Sequence, residues 1–187
     1  MAFYGLSFPT IAKLDTVTGK YTDGFKCGKA VSSDVTPNYN EASLHGDDEL
    51  AEYVKDFKDA DVTLGVTEFP IEAATVMFGH KVDTETNSIT YGTQDVASYV
   101  GYGFYASEIN EGVTKYTACW LPKVKFADTA ESYSTKGESI EFKTPSISGK
   151  ATADASGNWK YKQTFATIEE ARAWLETKAG IKAAVTK

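Results

Sequence analysis

The chain has 187 residues and a mass of 20.3 kDa, with 26 acidic and 19 basic residues, a net charge of −7 and a pI near 4.9. That length suits one domain with its own core, and 42% hydrophobic residues with only five prolines argue against a disordered chain. The acidic balance speaks against holding nucleic acid by neutralising phosphates, which takes clustered Lys and Arg.

From the N-terminus, MAFYGLSFPT has neither a basic n-region nor an apolar h-region, and no apolar run reaches membrane-spanning length, so a cytoplasmic, soluble chain is expected. In SFPTIAKLD, Phe8, Ala12 and Leu14 share one face, and TVTGK then supplies a turn before YTDGFKCGKAV. Cys27 and Cys119 lie far apart in sequence and read as buried thiols rather than a disulfide framework.

The next segment holds most of the charge. Between Glu41 and Asp61 there are eight acids and two lysines, a balance of −6, which leaves eighteen acids against seventeen bases elsewhere. Leu50, Tyr53, Val54 and Phe57 fit a helical stripe with Asp47 or Asp48 as N-cap, so periodicity alone predicts a helix here.

Two further helices are expected. FPIEAATVMFGH has Pro70 at the first helical position, Gly79 just past the end and Ile71, Ala74 and Phe78 on one stripe. TIEEARAWLETKAG has Thr167 and Glu170 as a capping box, Ile168, Ala171, Trp174 and Leu175 as the apolar face, and Gly180 as the stop.

Between them lie strands. SYVGYGFYASEI and KYTACWLPKVKF read as one long hairpin turning at Asn110-Glu111-Gly112. Gly101 and Gly103 strip one face of the first strand, for tight internal packing or for close contact with another subunit. In the second, Tyr116, Ala118, Trp120, Val124 and Phe126 point one way and Lys115, Thr117, Lys123 and Lys125 the other, with Pro122 marking a bulge or a sheet edge. In SIEFKTPSI the apolar phase changes across Pro145, from Ile140 and Phe142 to Ile147, as at a bulge or corner. ISGKATAD and NWKYKQTF read as a further hairpin, with Trp159, Tyr161 and Phe165 on one side and Lys160 and Lys162 on the other.

Chemical constellations are sparse. No glycine-rich phosphate loop occurs, Cys27, His45, His80 and Cys119 include no close ligand pair, and the two histidines read as surface or turn residues. Asp47, Asp48, Glu49 and Glu52 could supply a glycosidase's two carboxylates only if a cleft held one of them protonated, whereas four acids in a polar run near Lys55 and Lys58 read as solvated. No catalytic residue, metal or cofactor is expected. A carbohydrate-binding sandwich stacking sugars on Tyr99, Tyr102, Tyr105 or Trp120 is the alternative, against the commoner role of strand aromatics as core.

The order of several blocks carries a resemblance. FPTIAKLDTVTGKYTDGFKCGKAVSSDVTPNYNEASLHGDDELAEY, then VTLGVTEF, FPIEAATVMFGH, WLPKVKF and TKGESIEFKTPSISGKA together resemble the major tail (tail tube) protein of phages with long non-contractile tails, of the type found in phages of Gram-positive bacteria. The resemblance spans most of residues 1–180. It implies a mainly β (α+β) fold, a β-sandwich or half-barrel with one flanking helix and a short C-terminal helix, in a single domain over 1–187 without an added immunoglobulin-like domain. It implies a virion protein, assembled in the host cytoplasm into hexameric rings that stack as a tube. Its partners would be copies of itself and the tape-measure and tail-end proteins, with double-stranded DNA passing through unbound, no cofactor and no membrane.

In that family the part matching residues 36–60 is an extended arm reaching a neighbouring subunit or ring, which sets the resemblance against the helical periodicity and favours the extended form. Glu41, Leu44, Asp47, Asp48, Glu49, Glu52, Tyr53 and Phe57 are the candidate assembly or lumen residues. Their acids would line the lumen, meet lysines such as Lys123, Lys125, Lys160 or Lys162 of a neighbour, or lie in a solvated loop. On the lumen wall they would repel DNA within a Debye length of roughly 8–10 Å. The long aromatic strands around Gly101 and Trp120 are expected at open sheet edges, as the joints between subunits.

Overall fold

A computed structural model describes residues 2–128, 135 and 144–181. It is mainly β, with β1 (Ala2–Leu14), β2 (Tyr21–Lys26), β3 (Ala30–Gly46), β4 (Glu49–Val66), α1 (Ile71–Phe78), β5 (Lys81–Asp83), β6 (Ser88–Thr90), β7 (Val100–Asn110), β8 (Val113–Phe126), β9 (Ser146–Ala151), β10 (Tyr161–Phe165) and α2 (Ile168–Lys178). One antiparallel sheet runs β2-β1-β7-β8-β9-β4-β3, with β10 also paired to β8, and β5 and β6 form a small separate ribbon. The phase change expected between Ile140, Phe142 and Ile147 involves residues outside the described ones.

The sheet curls around one core and carries a second on its outer face, the arrangement of a β-sandwich with flanking helices. Ile11, Val62, Leu64, Tyr102, Leu121 and Ile147, from five strands, bury their side chains in the inner core, against Ala73, Met77 and Phe78 of α1. On the outer face, Ala12, Tyr105, Ala118 and Trp120 meet Ala171 and Leu175 of α2.

Local chemistry sets both helices. Pro70 is extended and stands as the N-cap of α1, one position before the place its sequence suggests, and Gly79 ends the helix in the left-handed conformation at φ 74°. The capping box of α2 is present, with the Thr167 side chain accepting from the Glu170 N–H and Glu170 reaching back to the Thr167 N–H.

The β7–β8 hairpin turns at Glu111 and Gly112, both at positive φ as a two-residue hairpin turn demands. Across it, the register moves from Tyr102↔Leu121 to Val100↔Val124, so β8 holds one extra residue around Pro122. That bulge separates the apolar set predicted to share one face. Tyr116, Ala118 and Trp120 face α2, whereas Val124 and Phe126 join Leu121 in the inner core, because a one-residue slip reverses the pleat. The bulge is also where β8 changes partner, from β10 over Tyr116–Trp120 to β9 over Val124–Phe126.

Three expectations are corrected by this topology. β7 and β8 are interior strands, paired on both sides, and are not open edges. β9 and β10 do not pair with each other as a hairpin, since each lies along a different stretch of β8. Trp159 parts company with Tyr161 and Phe165, stacking on Phe57 at 4.8 Å while they pack beneath α2.

The glycine-stripped face of β7 is filled from within. The Trp120 indole lies across Gly101 and Gly103, and a Cβ at Gly103 would fall 2.5 Å from Trp120 Cε3 and 2.7 Å from Leu175 Cδ2. Internal packing thus accounts for both glycines, and the subunit-contact reading is overturned. Tyr21 meets the indole edge-on at 5.2 Å, and its hydroxyl donates to the Pro122 carbonyl at 2.8 Å.

Candidate assembly surface

Residues 47–58 are strand, not helix. β3 and β4 pair from Ala30↔Val66 out to Gly46↔Glu49, and Asp47 and Asp48 close the turn at φ 50° and 63°. Aspartate tolerates this left-handed conformation better than most residues, although Asn-Gly is the favoured pair for such a turn. β9 accompanies β4 only from Ala60 to Gly65. Beyond Asp59 the two strands have each other alone among the described residues, an arm of eight residues from β3 and ten from β4, about 30 Å long.

The helical periodicity arises because both faces of this ribbon meet solvent. Register puts Tyr39/Phe57, Glu41/Lys55 and Ser43/Tyr53 on one face, and Asn40/Asp56, Ala42/Val54 and Leu44/Glu52 on the other. Apolar side chains at 50, 53, 54 and 57 are shared between the faces, so they mimic a stripe without forming one. Leu44, Leu50, Tyr53 and Val54 are each at least half exposed. A two-stranded ribbon is marginal alone in water, and contiguous exposed apolar residues on one mark an interaction surface.

The two faces differ in charge. On the first, Lys55 pairs with Glu41 at 2.6 Å and lies 4.6 Å from the centre of the Tyr39 ring. The hydrogen bond from Lys55, then that from Tyr53, holds the Glu41 carboxyl below its ordinary value. At the base, Asn38 and then Lys150 lower the pKa of both Asp59 and Asp61. Three of the eight acids are therefore matched. The other five, Asp47, Asp48, Glu49, Glu52 and Asp56, have no cationic partner among the described residues.

Of the sequence-predicted site residues, the arm gathers Glu41, Leu44, Asp47, Asp48, Glu49, Glu52 and Tyr53, all exposed. Phe57 is set apart: it is half-buried at the root, stacked on Trp159, and anchors the arm to its own domain. Asp56 and Val54 belong to the same surface, and only the strand register reveals it.

Elsewhere the structure offers little chemistry. Burial pushes the Cys27 thiol up to about 12 and raises that of Cys119, the opposite of an activated nucleophile. Among the described residues, no group of three or more His, Cys, Asp or Glu could hold a metal. Glu49 and Glu52 lie exposed on the arm. Tyr102, Tyr105 and Trp120 are buried, and Tyr99 is half-buried with Lys123 and Lys125 over its ring, so the proposed sugar-stacking platform does not exist as such.

His80 departs from its expected place at the surface. It is buried, with Nδ1 2.8 Å from Asp95 Oδ2, Nε2 3.2 Å from Asp128 Oδ2 and its ring 4.4 Å from that of Tyr91. Burial alone would lower its pKa, but the two carboxylates outweigh it and the net shift is upward. This cluster ties the end of α1 to the end of β8, which no spacing in the sequence signals.

No family model matches the chain, and none of the curated proteins is significantly similar to it. No helix among the described residues is long and apolar enough to cross a membrane.

Proposed function

We propose that this chain is a structural virion protein that assembles with copies of itself into hexameric rings, stacked as the tail tube through which phage DNA passes. The observation that carries this reading is the free β3–β4 arm, with exposed apolar residues on both faces and five unmatched acids. A monomer gains nothing from solvating Leu44, Leu50, Tyr53 and Val54, whereas burying such side chains in a contact is worth about 1–2 kcal/mol each.

Sheet edges support it from a second direction. The outer side of β3, seventeen residues long, has no strand partner among the described residues, and neither does the side of residues 2–6 in β1 that faces away from β7, since β2 covers β1 only over residues 10–14. Such rims invite pairing with another chain. They replace β7 and β8 as the places where copies would join. The acidic balance suits a conduit, because an acidic wall repels the duplex instead of exchanging counterions for contacts.

Negative-stain electron microscopy of the purified protein over rising concentration and varied salt tests the proposal, with rings and tubes as the expected result. Monomers under every condition, together with absence of the chain from the tails of particles whose genome encodes it, would sink it. Saturable binding on a glycan array would favour the carbohydrate-binding alternative.

A further inference from the structure

A groove of about 470 Å³ opens at the side of the inner core, between the part of β1 that β2 does not cover and the strand β3. Phe3, Leu6, Val31 and Val35 form its walls, and Phe104 and Ala106 of β7 its floor. Lys162 of β10 and Lys160, just before that strand, stand within it, and neither has a carboxylate partner among the described residues. Their ammonium groups rest over the rings of Trp159 and Phe3, at 5.1 and 5.4 Å. The groove is apolar with two free cations.

That chemistry complements one face of the arm. The Tyr39/Glu41/Tyr53/Lys55 face satisfies its own charges, as described above. The opposite face presents Ala42, Leu44 and Val54 with Glu52 and Asp56 beside them, apolar with two free anions. The geometry points to the β1–β3 groove as the seat of the Leu44/Val54 face of the arm from a second copy of this chain, with Glu52 and Asp56 meeting Lys160 and Lys162. This assignment rests on the self-assembly reading and goes beyond it by naming the receiving surface and the face that enters.

The other lysines named as partners fit less well. Lys123 borders a cleft of about 320 Å³ that contains Asp154 and is otherwise lined largely by polar and small residues such as Thr16 and Ser156. An acidic arm would meet a carboxylate there. Lys125 and Lys123 lie over Tyr99, outside the apolar groove. An unmatched charge left in a buried contact opposes the wrong seating, whereas opposite charges at the rim set register.

Two variants made in a Cys119→Ala background test it, Ala42→Cys on the arm and Val31→Cys at the groove. Mixed under conditions that give rings or tubes and then oxidised, they should yield a disulfide-linked heterodimer that neither forms alone. In parallel, Lys160→Glu with Lys162→Glu should raise the concentration needed for assembly at least about tenfold, and adding Glu52→Lys and Asp56→Lys to the same chain should restore it. If circular dichroism shows that the Glu pair fails to fold, Lys160→Gln with Lys162→Gln carries the same measurement. Tubes that form without the heterodimer, and a charge swap that does not restore assembly, overturn the groove assignment and leave self-assembly standing. Monomers at every concentration overturn both.

Discussion

Two long hairpins, β3–β4 and β7–β8, share a turn geometry and differ in everything that surrounds it. Each closes on two residues at positive φ, Asp47-Asp48 in one and Glu111-Gly112 in the other. The β7–β8 pair lies inside the sheet with strands on both sides, and its side chains are largely buried over residues 100–108 and 117–124, while at its tip Ile109 and residues 111–115 are exposed. The outer half of β3–β4 has solvent on both faces. Burial imposes a pattern on a strand, since each face must suit its neighbours, and it is the absence of that demand that lets the arm carry apolar and acidic residues in an order resembling a helix.

The comparison can be broken most severely at Trp120, which fills the glycine face of β7 and holds α2 to the sheet. Trp120→Ala should destabilise the fold by about 3–5 kcal/mol in urea unfolding, with loss of the near-ultraviolet signal of its pairing with Tyr21. Gly103→Val attacks the same contact from the opposite side, forcing atoms against the indole and Leu175, at a cost of about 1–3 kcal/mol. If either change is silent, the interior hairpin is not the packed element described here.

A third measurement addresses the clamp at the end of β8. Because the folded pKa of His80 is raised, its ion pairs contribute fully below the ordinary histidine value of about 6.5, and that contribution is lost as pH rises through the higher folded value. Tm should therefore fall across the neutral to mildly alkaline range in the parent protein, and His80→Gln should flatten that part of the profile. A profile unchanged by the substitution would remove the clamp from the account of stability.

The arm should answer in the reverse sense. Asp47→Asn with Asp48→Gly, placing the preferred pair in the left-handed turn, should stabilise the chain by about 0.5 kcal/mol or leave it unchanged. Leu44→Ser with Val54→Ser should alter monomer stability by less than about 0.5 kcal/mol, as exposed positions do, while abolishing assembly seen by sedimentation. Unfolding of the monomer would instead show that these residues belong to a core. The contrast sought is simple: the interior hairpin governs folding, and the arm governs association.

What the sequence by itself determined was local. The β7–β8 turn at Glu111-Gly112, the capping box at Thr167, the left-handed stop at Gly79 and the mainly β character follow from short-range rules in which each residue's own conformational preference decides. Tertiary structure decided the rest, because pairing partners, faces and burial depend on residues far apart in the chain. One extra residue near Pro122 sends Val124 and Phe126 into a different core from Trp120, and β9 and β10, adjacent in sequence, lie end to end along β8 instead of beside each other. The burial of His80 and the gathering of Val54 and Asp56 with Leu44 and Glu52 on one face of the arm have the same origin. Charge and hydrophobicity can be counted along a chain, but whether an acid is matched or an apolar side chain covered is fixed only when distant strands come into register.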